Sequence, residues 1–272
     1  MSVPPRKPWT AGIWAKLNRA EHHLADLNER VGEYLDADPY TIRVKEYPQT
    51  NTYEFVLTVV AEPPLGLSVI IGDCLQNLRA VLDHLAWELV YANSLTPSIE
   101  HPRTQFPIYT SQTTKTGKPR IVDILPGIHA RAQGVIESLQ PYHRRYDPQA
   151  HPLAILQELS NADKHRTLHL TAAQVTEAEI YLVTPKGQRF GGDFDLGVLH
   201  DDDTIGVFQL PPGFRLPQDW DIEGVGASFV AFRELGPWSD QPVILVLDDL
   251  LEYVRNIVVG GLQPFIDKAL DL

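Results

Sequence analysis

One apolar stripe constrains the fold of this chain more than any other feature of its sequence. Helical geometry advances by about 100° per residue. Between residues 71 and 89 this places six aliphatic side chains within about 60° of one another: Ile71, Leu75, Leu78, Leu82, Leu85 and Leu89. Such a stripe is typical of a helix that buries one face against a hydrophobic core. We therefore predict a helix over residues 68–91 with this face turned inward.

On the opposite face of the same helix, Asp73, Asn77 and His84 cluster within about 40° of one another, with Trp87 beside them. These side chains form directed hydrogen bonds. A solvated helix face would carry mostly Lys and Glu, which favour helices, whereas Asp, Asn and His do not. Arg79 and Asp83 are four residues apart and are expected to form an ion pair. This face is therefore a candidate functional site.

A second predicted helix, over residues 152–167, has a short apolar stripe of Ile155, Leu156 and Leu159. One turn further, the same stripe continues with Asp163 and Arg166 instead of more leucine. Because burial of an unpaired charge is costly, these two side chains should be partly buried and paired with polar groups of the first helix. Asn161 and His165 occupy a neighbouring face. We predict that the two helices pack with their polar clusters facing each other.

Helices and strands alternate along the rest of the chain. The predicted helices are residues 10–36, 128–139 and a final helix after Pro242 that the pair Gly260 and Gly261 ends. The predicted strands are residues 40–45, 53–60, 168–175, 180–183, 204–210 and 227–233, with turns at Gly191 and Gly192 and at 201–203. Because strands flank the central helices on both sides, we predict one α+β domain over residues 1–272 with a mostly antiparallel sheet.

Composition excludes several classes of protein and partner. The chain has 23 Lys and Arg against 35 Asp and Glu, a net charge of −12, which opposes binding to nucleic acid except through a local basic patch. The segments 143–146 and 115–120 are candidates for such a patch. Cys74 is the single cysteine, so an intrachain disulfide is excluded. No signal peptide, membrane span or nucleotide-binding glycine motif is found, and we expect a cytoplasmic protein without a cofactor.

Four segments resemble a bacterial family that is frequent in actinobacteria. They are residues 73–87 (DCLQNLRAVLDHLAW), 105–108 (QFPI), 139–142 (LQPY) and 159–166 (LSNADKHR). The family has no established activity, so this resemblance implies a shared fold and no particular chemistry.

The spacing of Arg79 and His84 also resembles the R-x4-H pattern of HEPN-type ribonucleases. In that superfamily the two residues cleave RNA without a metal at a dimer interface. The resemblance implies that Arg79 stabilises the charge on the phosphorane and that His84 is the general acid or base. Since the two side chains lie about 140° apart on a helix, they would meet only across a homodimer.

Three hypotheses about function follow. The first is a non-catalytic binding module, in which Asp73, Asn77, Trp87, Asn161 and His165 contact a ligand. The second is a HEPN-like endoribonuclease, in which Asp83, Asp163 and Arg166 assist Arg79 and His84. The third is a metal-dependent hydrolase that uses His165 and His169, which have the i,i+4 spacing of helical metal ligands.

Overall fold

A computed structural model gives the fold, and it describes residues 10–93, 105–113, 117, 125, 127–174, 177–195, 199–209, 211, 216–217, 220–225 and 228–270. The helices are α1 (Thr10–Asp36), α2 (Leu65–Asn93), α3 (Ala130–Ser138), α4 (Pro152–His165), α5 (Val243–Glu252) and α6 (Gly260–Leu270), with a π-helical segment at Tyr253–Val259 between the last two. The strands are β1 (Tyr40–Tyr47), β2 (Thr52–Val59), β3 (Leu170–Gln174), β4 (Glu177–Val183), β5 (Arg189–Asp195), β6 (Thr204–Gln209), β7 (Asp221–Val225) and β8 (Ser228–Phe232). The prediction of an α+β fold with a long N-terminal helix, a hairpin and a C-terminal helix is confirmed.

The chain divides into two compact units. Unit 1 contains residues 1–27, 69–167 and 245–272, and unit 2 contains residues 28–68 and 168–244. Each unit is thus assembled from segments that are distant in sequence.

Unit 1 is helical and is built on the predicted stripes. Every member of the α2 stripe is buried, as are Leu17 and Leu24 of α1 and Leu156 and Leu159 of α4. The Cys74 thiol is also buried and lies 3.5 Å from the carbonyl oxygen of Ala20, which ties α2 to α1. Burial raises the pKa of this thiol to about 12, as expected of an inert core cysteine.

Unit 2 contains small antiparallel sheets. Their strand orders are β1-β2-β6, β3-β8 and β5-β4-β7. The first sheet buries the alternating side chains Tyr53, Phe55 and Leu57 of β2, as the period-two pattern predicts. The ring of Phe55 meets that of Phe208 edge to face, with centroids 4.9 Å apart. The end of β2 is therefore a fixed support for the loops that follow it.

The structure differs from the sequence prediction at two glycine pairs. Gly191 and Gly192 were predicted to form a turn but lie within β5, paired with Tyr181 and Ile180 of β4. Gly260 and Gly261 were predicted to end the last helix, but α6 begins there and continues the helical course. Packing does not require glycine at position 261, since a Cβ there would lie 3.6 Å from the side chain of Val135 on α3, an ordinary van der Waals contact.

Within the described part of the chain, one helix, α2, is long and apolar enough to cross a membrane by length and composition alone, and half of its most apolar window is buried. A core helix of a globular protein passes the same test. The buried leucine stripe accounts for this composition.

Candidate functional site

Arg79 and Asp83 form the predicted ion pair on α2, and together they bind the backbone of Phe106. The Arg79 Nη2 lies 2.9 Å from the Asp83 Oδ1, and their side chains are 15% and 31% exposed. Nη2 also donates to the Phe106 carbonyl oxygen, and the Phe106 N–H donates to the same Asp83 Oδ1, each at 2.9 Å. The pair thus acts as a clamp, called here the Phe106 clamp, that holds an extended segment against the helix.

A buried glutamine holds the same segment from the other side. Gln140 is fully buried, its Nε2 donates to the carbonyl oxygens of Pro107 and Ile136, and its Oε1 accepts the N–H of Tyr109. An amide can satisfy a backbone donor and acceptor at once, so it substitutes for a missing strand partner. The QFPI and LQPY segments named above are therefore hydrogen-bonded to each other.

The two predicted polar helices lie side by side. A Cβ added to Gly72 of α2 would lie 2.9 Å from the Asp163 Cγ of α4, so the Asp163 carboxylate occupies the space left by the missing side chain. Only glycine permits so close an approach. The expected adjacency of the segments near residues 80 and 163 is confirmed at this position.

The predicted pairing of Asp163 with the polar side chains of α2 is not found. Within the described residues, Asp163 makes no hydrogen bond or ion pair with the polar side chains of α2. Arg166, expected to be partly buried, is exposed, because α4 ends at His165 and the stripe ends with it. Partial exposure of Asp163 explains how its carboxylate is tolerated without a countercharge.

The remaining candidates do not converge on one point. Those that are exposed are Asp73, His84, Asn161 and His165, whereas Asn77 and Trp87 are half-buried. The Asn77 Nδ2 donates to the carbonyl oxygen of Asp73 one turn earlier, at 2.7 Å. The Asp73 carboxylate acts on His23 of α1, whose pKa is nevertheless lowered, first by burial and second by Arg19. The polar face of α2 thus makes mostly local bonds.

His165 and His169, the candidate metal ligands, do not lie on one helix. The helix α4 ends at His165, and His169 lies beyond it in an extended segment. Within the described residues, no group of three His, Cys, Asp or Glu side chains is placed to hold a metal ion. The position of His169 past the helix agrees with the predicted helix end near residue 167, and the i,i+4 spacing therefore does not place the two histidines on one helix.

Unit 2 contains a polar pocket that the sequence reasoning missed, called here the β-pocket. Its cavity volume is about 290 Å³, and its lining residues are Val59, Glu62, Thr171, His200, Asp201, Arg233 and Asp240. These residues come from the end of β2, the turn before β6, strand β3, the end of β8 and the loop before α5. A volume near the lower end of the 300 to 1,000 Å³ that is usual for ligand sites fits a small metabolite.

Main-chain hydrogen bonds fix the turn that lines one side of the β-pocket. The His200 N–H donates to the Asp203 Oδ2 at 2.7 Å, and the Asp201 Oδ1 accepts the N–H of Val59 at 2.8 Å. The N–H of Asp202 also donates to the carbonyl oxygen of Leu57. The turn is thereby held on the end of β2.

The opposite chain segment supplies Arg233 and Asp240. The Asp240 Oδ1 lies 3.2 Å from the His200 Nε2, and the backbone of Asp240 adopts a φ of 68°. A left-handed residue that is not glycine is uncommon, and such residues are enriched at functional sites. The Arg233 guanidinium lies 3.8 Å from Glu234, both more than half exposed. The β-pocket therefore carries groups of both charges.

A histidine–tyrosine pair lies at the start of α4 in unit 1. The His151 Nδ1 accepts the N–H of Leu153, so the proton is on Nε2, which lies 3.2 Å from the Tyr253 hydroxyl oxygen. Burial first, and Arg144 second, lower the pKa of His151 to about 4. Burial likewise raises the pKa of Tyr253. His151 is thus a neutral N-cap that joins α4 to the π-helical segment.

The basic segment at residues 143–146 is largely committed to local contacts. The His143 Nε2 lies 2.8 Å from Glu137, and Arg144 donates to the carbonyl oxygen of Ala150. Tyr146 is fully exposed. The other basic segment, residues 115–120, lies outside the described residues except for Gly117.

Comparison of the chain with protein-family models, with curated proteins and with solved structures gives no match.

Proposed function

We propose that this chain is a binding module that holds a small polar ligand in the β-pocket and carries out no chemistry with the polar face of α2. The observation that carries the proposal is the β-pocket itself, a cavity of about 290 Å³ that is lined on one side by a turn, at His200 and Asp201, which hydrogen bonds hold in place. Polar groups that are already oriented bind a ligand with less loss of entropy than mobile ones.

The position of Glu62 supports this preorganisation. The carbonyl oxygen of the preceding residue, Ala61, accepts the hydroxyl of Tyr34 at 2.6 Å. The following residue, Pro63, restricts the backbone of Glu62 to extended conformations. Both neighbours of Glu62 are therefore constrained, although its side chain is exposed.

The Phe106 clamp supports the absence of chemistry on α2. A catalytic arginine must direct its N–H groups at charge that develops on a substrate. The Arg79 Nη2 is instead shared between Asp83 and the Phe106 carbonyl oxygen, and the side chain is largely buried. His84, the partner in the ribonuclease hypothesis, is exposed and makes no hydrogen bond with described residues. Within one chain the two side chains do not share a site, which favours a structural role for Arg79 over the ribonuclease hypothesis.

A ligand panel on matched variants tests the proposal. Arg233→Gln removes the guanidinium of the β-pocket, and Arg43→Gln removes an equally exposed arginine of unit 2 that pairs with Asp202 and does not line the cavity. The panel contains amino acids, dicarboxylates, diamines and nucleoside monophosphates, and the measurement is the shift in melting temperature. At least one class should stabilise the wild type and Arg43→Gln saturably, and Arg233→Gln much less.

Two outcomes would contradict the proposal. One is a panel in which no compound gives a stabilisation that depends on Arg233. The other is cleavage of RNA by the purified chain that survives EDTA and disappears in His84→Gln, which would support the ribonuclease hypothesis instead.

A further inference from the structure

From the hydrogen bonds of the turn at residues 200–203, we infer that Asp203 is a positioning residue for the ligand of the β-pocket. Asp203 lies outside the described lining of this cavity, whereas His200 and Asp201 of the same turn belong to the lining. This role rests on the proposed function, because Asp203 acts on the ligand through His200 and not by direct contact.

The second half of the turn is anchored to β2 by main-chain atoms. The Leu57 N–H donates to the Asp203 carbonyl oxygen at 2.9 Å, and the Asp202 N–H donates to the Leu57 carbonyl oxygen at 3.0 Å. The side chain of Leu57 is buried in the hydrophobic core of unit 2. Since these bonds involve no side chain of the turn, substitutions in the turn leave their donors and acceptors in place.

The first residue of the turn is held differently. The His200 N–H donates to the Asp203 Oδ2 at 2.7 Å, and in the described part of the chain this carboxylate is its one acceptor. The His200 carbonyl oxygen accepts the Asp203 N–H at 3.1 Å, which closes a β-turn. Two bonds between the ends of the turn therefore hold the backbone of His200, and one of them depends on the side chain of Asp203.

The imidazole of His200 is not fixed by its own contact. Its Nε2 lies 3.2 Å from the Asp240 Oδ1 of the opposite chain segment, and the two side chains are 40% and 43% exposed. A polar contact so open to water contributes little to holding either partner in place. The direction in which the imidazole leaves the backbone is instead set by the backbone of His200, which the Asp203 carboxylate holds.

The three consecutive aspartates of the turn have different surroundings. The Asp201 Oδ1 accepts the Val59 N–H at 2.8 Å, so this carboxylate keeps its own anchor when Asp203 is replaced. Asp202 has a φ of 65°, which glycine adopts without strain, and its side chain forms an exposed pair with Arg43. Asp202→Gly is therefore a matched control, because it removes a neighbouring carboxylate and leaves the bond between Asp203 and His200 intact.

The test measures dissociation constants of the full chain by isothermal titration, well below all melting temperatures. The probe is the compound of the ligand panel that gives the largest saturable stabilisation dependent on Arg233. Asp203→Ala should bind it about five- to tenfold more weakly, as expected for the loss of one hydrogen bond to a carboxylate. Asp203→Asn keeps an oxygen acceptor for the His200 N–H and should bind within about twofold of the wild type, as should Asp202→Gly.

A double-mutant cycle separates positioning from a general structural effect. His200→Ala alone should weaken the probe at least as much as Asp203→Ala does, because it removes the group that Asp203 positions. In the His200→Ala background, the further substitution Asp203→Ala should change the affinity by no more than about twofold.

Failure of this inference is distinguishable from failure of the proposed function. If Arg233→Gln weakens the probe while Asp203→Ala binds as the wild type does, the β-pocket is a binding site and Asp203 has no positioning role. That role is also overturned if Asp203→Ala causes an equal loss with and without the His200 imidazole, or if Asp203→Asn does not restore binding. If no panel compound gives a stabilisation that depends on Arg233, the proposed function fails and the role of Asp203 with it.

Discussion

The Asp163 carboxylate fills the space beside Gly72 in which any other residue would place its Cβ, with the Asp163 Cγ 2.9 Å from that position. This contact joins α4 to α2 where the sequence predicts two polar clusters that face each other. The two helices do meet, and at this position the Asp163 carboxylate packs against Gly72 instead of forming an ion pair with α2. The contact of Asp163 with Gly72 therefore supports a role in helix packing and not the predicted polar site.

Gly72 and Asp163 should be strongly coupled in stability. Gly72→Ala gains helix propensity of about 1 kcal/mol, but its Cβ displaces the Asp163 carboxylate. We expect the substitution to stabilise an Asp163→Ala background and to be neutral or destabilising in the wild type, with a coupling energy of at least about 0.5 kcal/mol. Urea unfolding of the four proteins measures it. Equal effects in both backgrounds would mean that the helices do not touch there.

Removal of the Asp83 carboxylate should destabilise the chain. Asp83→Ala leaves the Phe106 N–H without its acceptor and Arg79 without its ion pair. The expected loss is about 2 to 3 kcal/mol of unfolding free energy, which lowers the melting temperature by roughly 4 to 10 °C. Asp73→Ala, an exposed carboxylate on the same helix, is the control, and its effect should stay within about 0.5 kcal/mol. Similar losses in the two variants would contradict the role given to the Phe106 clamp.

His151 should make stability depend on acid pH. Its pKa is about 4 in the folded chain, below the ordinary value of 6.5 that applies to the unfolded chain. The unfolded state therefore takes up a proton first as the pH falls below 6.5, and stability decreases until the pH passes 4. After allowance for solvent screening at this half-buried site, the loss is about 1 to 2 kcal/mol.

The variant that isolates this histidine is His151→Asn, which keeps an N-cap acceptor for α4 but does not titrate. The free energy of unfolding at pH 7 and pH 4 should differ less in His151→Asn than in the wild type, by about 1 to 2 kcal/mol. An unchanged difference would show that His151 is not the group responsible.

The sequence predicts the helices well because their stripes are long and regular. Leu75, Leu78 and Leu82 are buried as their spacing requires, and Arg79 pairs with Asp83 because both lie on one face. The pair Gly260 and Gly261 is typical of a helix stop, but the helical course continues through it from the π-helical segment into α6. A local pattern alone therefore misplaces the end of this helix.

The β-pocket could not be predicted by such patterns. Its lining extends from Val59 to Asp240, and the residues lie in turns and at strand ends, where no period applies. A local signal does exist, since His200 precedes three consecutive aspartates. A histidine in such a turn is a candidate for a polar site, but its partner Asp240 is brought near only by the fold.

We propose a structural role for the Phe106 clamp and a ligand-binding role for the β-pocket. The most direct test is the dissociation constant of the most stabilising panel compound for Asp83→Ala and Arg233→Gln, measured well below both melting temperatures. We expect Asp83→Ala to bind within about twofold of the wild type and Arg233→Gln to bind at least about tenfold more weakly with little change in melting temperature. The opposite pattern, lost binding in Asp83→Ala and wild-type affinity in Arg233→Gln, would contradict it.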